Sequence, residues 1–308
     1  MNNREEVIAS IKVMRVQEAT AYAIAPDYLH QHQPPINVMM GPLIPKSIPV
    51  DAECRFKMAE WKHQVVDFCK FQRETVAISM SYLDRFLASP SGNEARNNRK
   101  IFQLAAMASL YTAIKVNEPE AVDPKTIAGL SRGAHNKEEV ETMERQIIGA
   151  IDWRLHPPTA LAFCHCFFAL LPDMETDKRE TVLKLATFQT EVAVSDYFFV
   201  GINPSTIAFA AIVNAFQSLN NKDDIKALQK LATTVGIDLK SKELLDVKNM
   251  LFQSMVLSPS SPKCIKLPLP STRTAGSNTL NEAHHVSPRG VHHATMNYKV
   301  CIAVNSEF

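Results

Sequence analysis

From about Arg55 to Val256 the chain is a succession of apolar patterns with the helical period, and alternation of β-branched and polar residues over more than a few positions is absent. Trp61, Val65 and Phe68 recur at i, i+4, i+7. Val76, Met80, Leu83 and Leu87 repeat the stripe, and Ile101, Leu104, Ala108 and Tyr111 form a third. These spacings predict three amphipathic helices. Asp123 followed by Pro124 has the form of a cap and a first-turn proline, opening a short fourth helix that ends near Gly129. Asn136 before Lys137, Glu138 and Glu139 caps a fifth, with Val140, Met143, Ile147 and Ile151 as its apolar stripe. The fold class is all-α.

Pro157 and Pro158 then break the pattern, because neither can donate an amide and each pushes the preceding residue out of helical backbone. A domain boundary is placed there. Five further helices are expected beyond it: Ala160 to Leu171, Asp177 to Val194, Pro204 to Leu219, Asp223 to Thr234 and Ser241 to Met255. The architecture is therefore two tandem five-helix units, residues 51–156 and 157–257. Residues 1–50 carry a short helix over Glu5 to Tyr22 and a lead-in with six prolines between positions 26 and 49. After Leu257 come five prolines, seven serines and four threonines with few large apolar residues, so residues 258–308 are expected to be a disordered tail.

Composition narrows the function. A length of 308 residues, at about 150 per domain, suits two buried cores without help from disulfides. Lys and Arg total 33 against 32 Asp and Glu, and a net charge of +1 offers no general field for a phosphate backbone or an anionic membrane. Nine Gly against 18 Pro supply few phosphate-binding loops or tight hairpins. Six cysteines without a repeated C-x-x-C pair, behind an acidic N-terminus, suggest a reduced intracellular protein, and no apolar run is long enough to cross a bilayer. No nucleic acid, membrane or cofactor is expected as a partner.

Four charged residues interrupt faces that helical spacing buries. Asp84 lies four after Met80 and three before Leu87; Glu144 lies four after Val140 and four before Ile148; Lys115 lies four after Tyr111; Arg55 opens the Trp61 helix. A charge in such a place needs an opposite partner or an interface that supplies hydrogen bonds. Arg55 with Asp84 would tie the first helix to the second, and Lys115 with Glu144 would meet where the third and fifth lie side by side. The alternative is that all four are edge charges whose stems snorkel to water.

The stretches CRFKMAEW (54–61), SYLDRFLA (81–88), LAAMASLYTAIK (104–115) and ETMERQIIGAIDWRL (141–155) resemble, in order and spacing, the cyclin box, and DYFFVGINPSTIAFAAI (196–212) is similar to the third-helix region of the family's second box. The resemblance implies two tandem cyclin folds and a regulatory subunit of a cyclin-dependent protein kinase in cell-cycle control, not an enzyme itself, acting in the nucleus, with the cytoplasm as a further location left open, and possessing no catalytic group. It implies that Arg55 and Asp84 form a buried structural pair, and that Lys115 and Glu144 hydrogen-bond the kinase's regulatory helix and the segment before it. Ile148, Trp153 and Leu155 would cradle that helix. Met58, Trp61 and Gln64 stand in the family's substrate-docking patch, but Cys54 replaces Met, Lys57 occupies an apolar position, Met58 stands for Leu and Gln64 for an acid. Recruitment of docking peptides from substrates or inhibitors is therefore weakly supported. The run WRLHPPT (153–159) is more similar to the G1, D-type branch than to the mitotic one. A IIB-like cyclin-fold transcription factor, the rival from another class, would need a basic face and a zinc ribbon; a helical scaffold without kinase activation would not need both Lys115 and Glu144.

Other signals have plainer readings. Cys164, His165 and Cys166 face different directions on a helix and are expected to serve packing. Both tryptophans are expected to be buried. Arg96, Arg99 and Lys100 are read as a solvated loop, and the pairs His284–His285 and His292–His293 as incidental features of the tail. Ser258, Ser261 and Ser287 are each followed by proline, which makes them candidates for phosphorylation by a proline-directed kinase.

Overall fold

The computed structural model describes residues 3–29, 49–218 and 222–257, and among them it contains helices and no strand. The bulk of the proline-rich lead-in, the tail with Ser258, Ser261 and Ser287, and the four tail histidines lie outside the described residues. The chain runs α1 (Asn3–Ala19), α2 (Ala52–Cys69), α3 (Glu74–Ala88), α4 (Asn93–Asn97), α5 (Arg99–Asn117), α6 (Pro124–Gly129) and α7 (Lys137–Ala150), then α8 (Ala160–Leu170), α9 (Thr176–Ser195), α10 (Pro204–Gln217), α11 (Lys222–Val235) and α12 (Lys242–Leu257). Short 3-10 turns occupy Pro90–Gly92 and Tyr197–Gly201. The caps form as the residue types dictate. Asp123 accepts from the Lys125 amide, and Asn136 and Glu139 form a reciprocal capping box at the start of α7.

Each unit is built on one helix buried on all sides. In α5 every residue from Phe102 to Ile114 is buried, so the expected amphipathic stripe is in fact a core helix wrapped by α2, α3, α4, α6 and α7. Its polar groups are satisfied internally: Ser109 Oγ donates to the Ala106 carbonyl, Thr112 Oγ1 to the Ala108 carbonyl, and Gln103 meets His135 Nε2 at 3.2 Å. In the second unit α10 has the same role among α8, α9 and α12. The N-terminal helix α1 belongs to this second unit: Ile11 enters its core, Arg15 donates to the Val235 carbonyl at 2.6 Å, and Glu18 accepts from the Ser205 amide and hydroxyl at 3.0 and 2.6 Å. A carboxylate at the first turn of α10 complements that helix's positive end.

Arg55 and Asp84 hold the two units together. The guanidinium Nε and Nη2 donate to the two Asp84 oxygens at 2.9 Å each, and the Tyr28 hydroxyl donates to Asp84 Oδ1 at 2.8 Å. Arg55 Nη1 continues to the carbonyls of Val194 and Ser195 at 3.0 and 3.1 Å, at the negative end of α9. Burial alone would lower the Arg55 guanidinium, but the charge and hydrogen bonds of Asp84 outweigh it and hold the group above its ordinary value. The pair thus reaches beyond the first unit to which the sequence assigns it.

Three sequence expectations are corrected. Phe68 is exposed, because the buried face of α2 continues from Val65 and Val66 through Cys69, which packs against the first core, and leaves Phe68 on the outer side. Arg96 is buried within α4 and donates to the carbonyls of Leu87 and Ser89, so it is no part of a solvated loop. Arg99, beside it, pairs with Asp51 at 2.9 Å. Trp153 is the third and is treated below.

Lys62, which no pattern singled out, is 0 % exposed. Its ammonium donates to Ser109 Oγ at 3.0 Å and to Met80 Sδ at 3.3 Å, with no carboxylate in contact. Desolvation pushes it well below the ordinary lysine range.

Two predictions follow from these buried charges. Asp84→Ala strands the Arg55 guanidinium and should destabilise the fold by about 3 to 5 kcal/mol, read as a lowered melting temperature. A loss under about 1 kcal/mol would show that the pair does not anchor the fold. For Lys62 the sign runs the other way. The unfolded chain binds a proton here that the folded chain resists, so the stability deficit is present below the unfolded pKa and shrinks as pH rises toward it. Lys62→Met should therefore stabilise the protein at pH 7 and should flatten the rise in stability between neutral and alkaline pH. A variant that melts lower than the parent at pH 7 would contradict this.

Candidate functional site

The site forms where the buried helix α5 surfaces. Lys115 is the first exposed residue after Ile114, in the last turn of α5, where a cation suits the helix's negative end. Helix α7 packs alongside and brings Glu144 to it, with Lys115 Nζ 3.3 Å from Oε1 and 3.5 Å from Oε2. The two partners differ in setting. The Glu144 side chain is 9 % exposed and the Lys115 side chain 55 %. Lys115 Nζ also sits 5.5 Å above the Tyr111 ring, which limits where the ammonium can go.

Glu144 accepts from Lys115 alone among the described residues. A carboxylate has about four acceptor positions and an ammonium three donors, so this pair holds capacity of both kinds in reserve. One turn on, Ile148 lies on the same side of α7 and is half-buried, outside either core cluster.

The chain leaves α7 through a turn that aims Trp153 outward. The Trp153 amide donates to the Ile148 carbonyl at 3.1 Å and the Asp152 amide to the Gly149 carbonyl at 3.3 Å, a closure of the type that normally places glycine in left-handed backbone. Here Asp152 and Trp153 occupy it, at φ +54 and +59. Aspartate tolerates this region; an indole does so at a cost of about 1 to 2 kcal/mol. Trp153 is 74 % exposed as a result, against the expectation of burial, because the helical spacing that would have buried it ends at Ala150. Leu155 by contrast packs against the first core, and its carbonyl accepts from the Tyr82 hydroxyl. The structure therefore brings Lys115 and Glu144 into contact, places Ile148 one turn further along α7, ties the Trp153 backbone to Ile148, and packs Leu155 against the first core.

The proposed docking residues sit elsewhere. Met58 and Trp61 are buried in the first core, which leaves Gln64 alone of the three exposed. Cys164 is buried and burial pushes its thiol up to about 12; His165 is exposed. Among the described residues no group of His, Cys, Asp and Glu could hold a metal ion, and no helix is long and apolar enough to cross a membrane. Tyr111, which steadies Lys115, and Tyr28, which completes Asp84, were not assigned these roles from sequence. The i, i+4 spacing to Lys115 could have found the first; nothing in the lead-in marks the second.

Comparison with known families gives two adjoining matches, "Cyclin, N-terminal domain" over residues 10–156 and "Cyclin, C-terminal domain" over residues 158–268. The chain belongs to the cyclin family. Similar cyclins include G2/mitotic-specific cyclin-2 of Antirrhinum majus, 30% identical over 173 residues, which are 56% of this chain and 37% of that one. G1/S-specific cyclin-D1 of Mus musculus is 26% identical over 163 residues, 53% of each chain. This cyclin thus matches about two-fifths to a half of the length of those relatives, and both the mitotic and the D-type branches are represented. A viral cyclin from herpesvirus saimiri shares the fold, with a TM-score of 0.59 at 15% identity over 80% of this chain and 98% of the viral one.

The geometry at the end of α7 makes a prediction of its own. Trp153→Gly removes an exposed side chain from left-handed backbone that glycine adopts freely. The variant should be more stable than the parent by about 0.5 to 1 kcal/mol in denaturant titration, the relief of about 1 to 2 kcal/mol being partly offset by glycine's greater freedom in the unfolded chain. A clear loss of stability would mean that the indole makes contacts that hold the turn.

Proposed function

We propose that this cyclin is the regulatory subunit of a cyclin-dependent protein kinase in cell-cycle control, acting in the nucleus, and that Lys115, Glu144, Ile148 and Trp153 form its kinase-binding surface. The observation that carries this reading is the Lys115–Glu144 pair, held in place with unused donors and acceptors, together with a tryptophan just past the end of α7 that the backbone keeps in solvent at a cost. A surface with both features suits a partner that brings backbone amides and carbonyls to the pair and an apolar helix face to the indole.

Activation needs no catalytic group from the cyclin. A protein kinase is competent when its strand lysine pairs with the glutamate of its regulatory helix and its metal-binding aspartate is in place. A partner that binds only the inward position of that helix shifts the population toward the competent state by its difference in affinity for the two positions. Lys115 and Glu144 supply polar ends that fix the helix in register, and Ile148 and Trp153 supply the apolar contact that only the inward helix can reach.

The test is reconstitution of the full chain with candidate cyclin-dependent kinases, reading binding and phosphoryl transfer together. Lys115→Ala and Glu144→Ala should each weaken binding about a hundredfold, equivalent to roughly 3 kcal/mol, and reduce activation in parallel. Lys115→Ala also leaves the nearly buried Glu144 carboxylate without its partner and should lower the melting temperature, so binding is read well below that temperature. Trp153→Gly should yield a protein that is more stable and binds worse. If both alanine variants bind and activate as the parent does, with helical content intact by circular dichroism, the surface is wrongly assigned.

A further inference from the structure

A second surface is a cleft of about 430 Å³ between α2 of the first unit and α9 with its following turn in the second. Its volume falls within the range of about 300 to 1,000 Å³ typical of ligand pockets. Phe56, Phe188 and Val192 give it an apolar floor, each half-buried with a face left open. Around them stand Glu53, Glu60, Asp67, Glu191 and Asp196. Arg73 spans Asp67 and Glu191 at 2.6 Å each, and Lys57 lies 3.7 Å from Glu53. Five acids against these two cations leave the cleft negative by about three charges. His63 adds nothing to offset them at neutral pH, since burial and then Arg73 hold its imidazole down at about 4.

The end of the described chain is at the same place. Ser254 lines the cleft and donates to Asp196 Oδ2 at 3.0 Å, and α12 stops three residues later at Leu257, about 4.5 Å further along its axis. The 51 residues that follow carry five Lys and Arg against two Glu, a net of +3. Their most concentrated stretch of opposite character to the cleft is KCIKLPLPSTR (263–273), which holds Lys263, Lys266 and Arg273, no acid, and Ile265, Leu267 and Leu269. Pro268 and Pro270 favour extended backbone there. Six residues from Leu257 to Lys263 can span about 20 Å, so the tether is long enough, and short enough to hold the segment at an effective concentration on the order of millimolar.

We propose that residues 263–269 of the chain's own tail dock in this cleft, with Ile265, Leu267 and Leu269 against the Phe56–Phe188 floor and Lys263 and Lys266 facing the ring of carboxylates. The cleft's lining shares no residue with the Lys115–Glu144 surface, and such an occupant would bridge both units. Its position next to Ser258 and Ser261 has a chemical consequence. A phosphate on either serine would add about −1.5 to −2 charge beside an already negative cleft and disfavour docking.

The native Cys264 makes the proposal testable in the full-length protein. Gln64 is exposed and lines the cleft, so Gln64→Cys places a thiol within reach of a docked Cys264. Mild oxidation of the dilute protein, followed by peptide mapping, should give a disulfide within one chain between positions 64 and 264. Yield should fall at least fivefold when Lys263→Glu and Lys266→Glu are added. The exposed Glu138, on α7, supplies a control as Glu138→Cys, which should capture Cys264 far more slowly. Equal capture by the control, or a yield indifferent to the charge reversals, would overturn the proposal. A 64–264 link found only between two chains would replace it with an interface between copies.

Discussion

The structure depends on one guanidinium. Arg55 is buried, gives two hydrogen bonds to Asp84 on α3 and two more to the last carbonyls of α9, while Tyr28 from the N-terminal segment completes Asp84. Four separate pieces of chain meet at this point. A buried ion pair adds little net stability over apolar packing, because the desolvation of both charges offsets most of their attraction. What it does is penalise every other arrangement. Displacing α9 by even part of a turn would leave buried N–H groups without acceptors, at about 1 to 3 kcal/mol each or more for a charged donor. The pair therefore specifies how the second unit sits on the first more than it strengthens either.

The two central helices explain where the candidate site had to lie. A helix buried on all sides cannot carry an ion pair along its middle, and the polar residues of α5 are small or satisfied within the core. Charge becomes tolerable only where the helix emerges, and Lys115 is the residue at which it does. Glu144 is nearly buried because α7 lies along α5 at that level, and the Lys115 ammonium, half in water, makes its charge affordable. Lys62 marks the limit of this rule. It lies wholly inside, without a carboxylate partner, and the cost appears as a depressed proton affinity.

Much of this was legible in the residues, for identifiable reasons. Periodicity located the longer helices of both units but not the five-residue α4, and cap chemistry placed the starts of α6 and α7, because both signals are local. Charges interrupting an apolar stripe pointed to Arg55 with Asp84 and Lys115 with Glu144, since each charge needs a partner and the opposite signs were few. The failures were of long range or at helix ends. Trp153 reads as a core residue until Asp152 turns the chain left-handed and carries it into water. The acceptors of Arg55 on α9 lie 139 and 140 residues away, and those of Lys62 on α3 and α5 lie 18 and 47 away, so no pattern within a helix could announce them. Arg96 looked solvated because two of its acceptors are the backbone carbonyls of Leu87 and Ser89, which have no sequence signature at all.

Strain and unused hydrogen-bonding capacity coincide at the end of α7, and the free chain gains nothing from either. The indole could be a glycine with profit to the fold, and Glu144 could be apolar if Lys115 were also replaced. Their joint presence is economical only if something else recovers the cost. A partner that docks here meets Glu144 held by the α5–α7 contact, Lys115 drawn toward Tyr111 and Glu144, and a backbone at Trp153 closed by hydrogen bonds, so little backbone ordering remains to be done. The position of that surface is set in turn by α5, whose burial depends on α2 and α3 being held together by Arg55 and Asp84. The same pair that fixes one unit on the other thus also fixes the register of the surface offered to a partner, although its guanidinium is buried and out of the partner's reach.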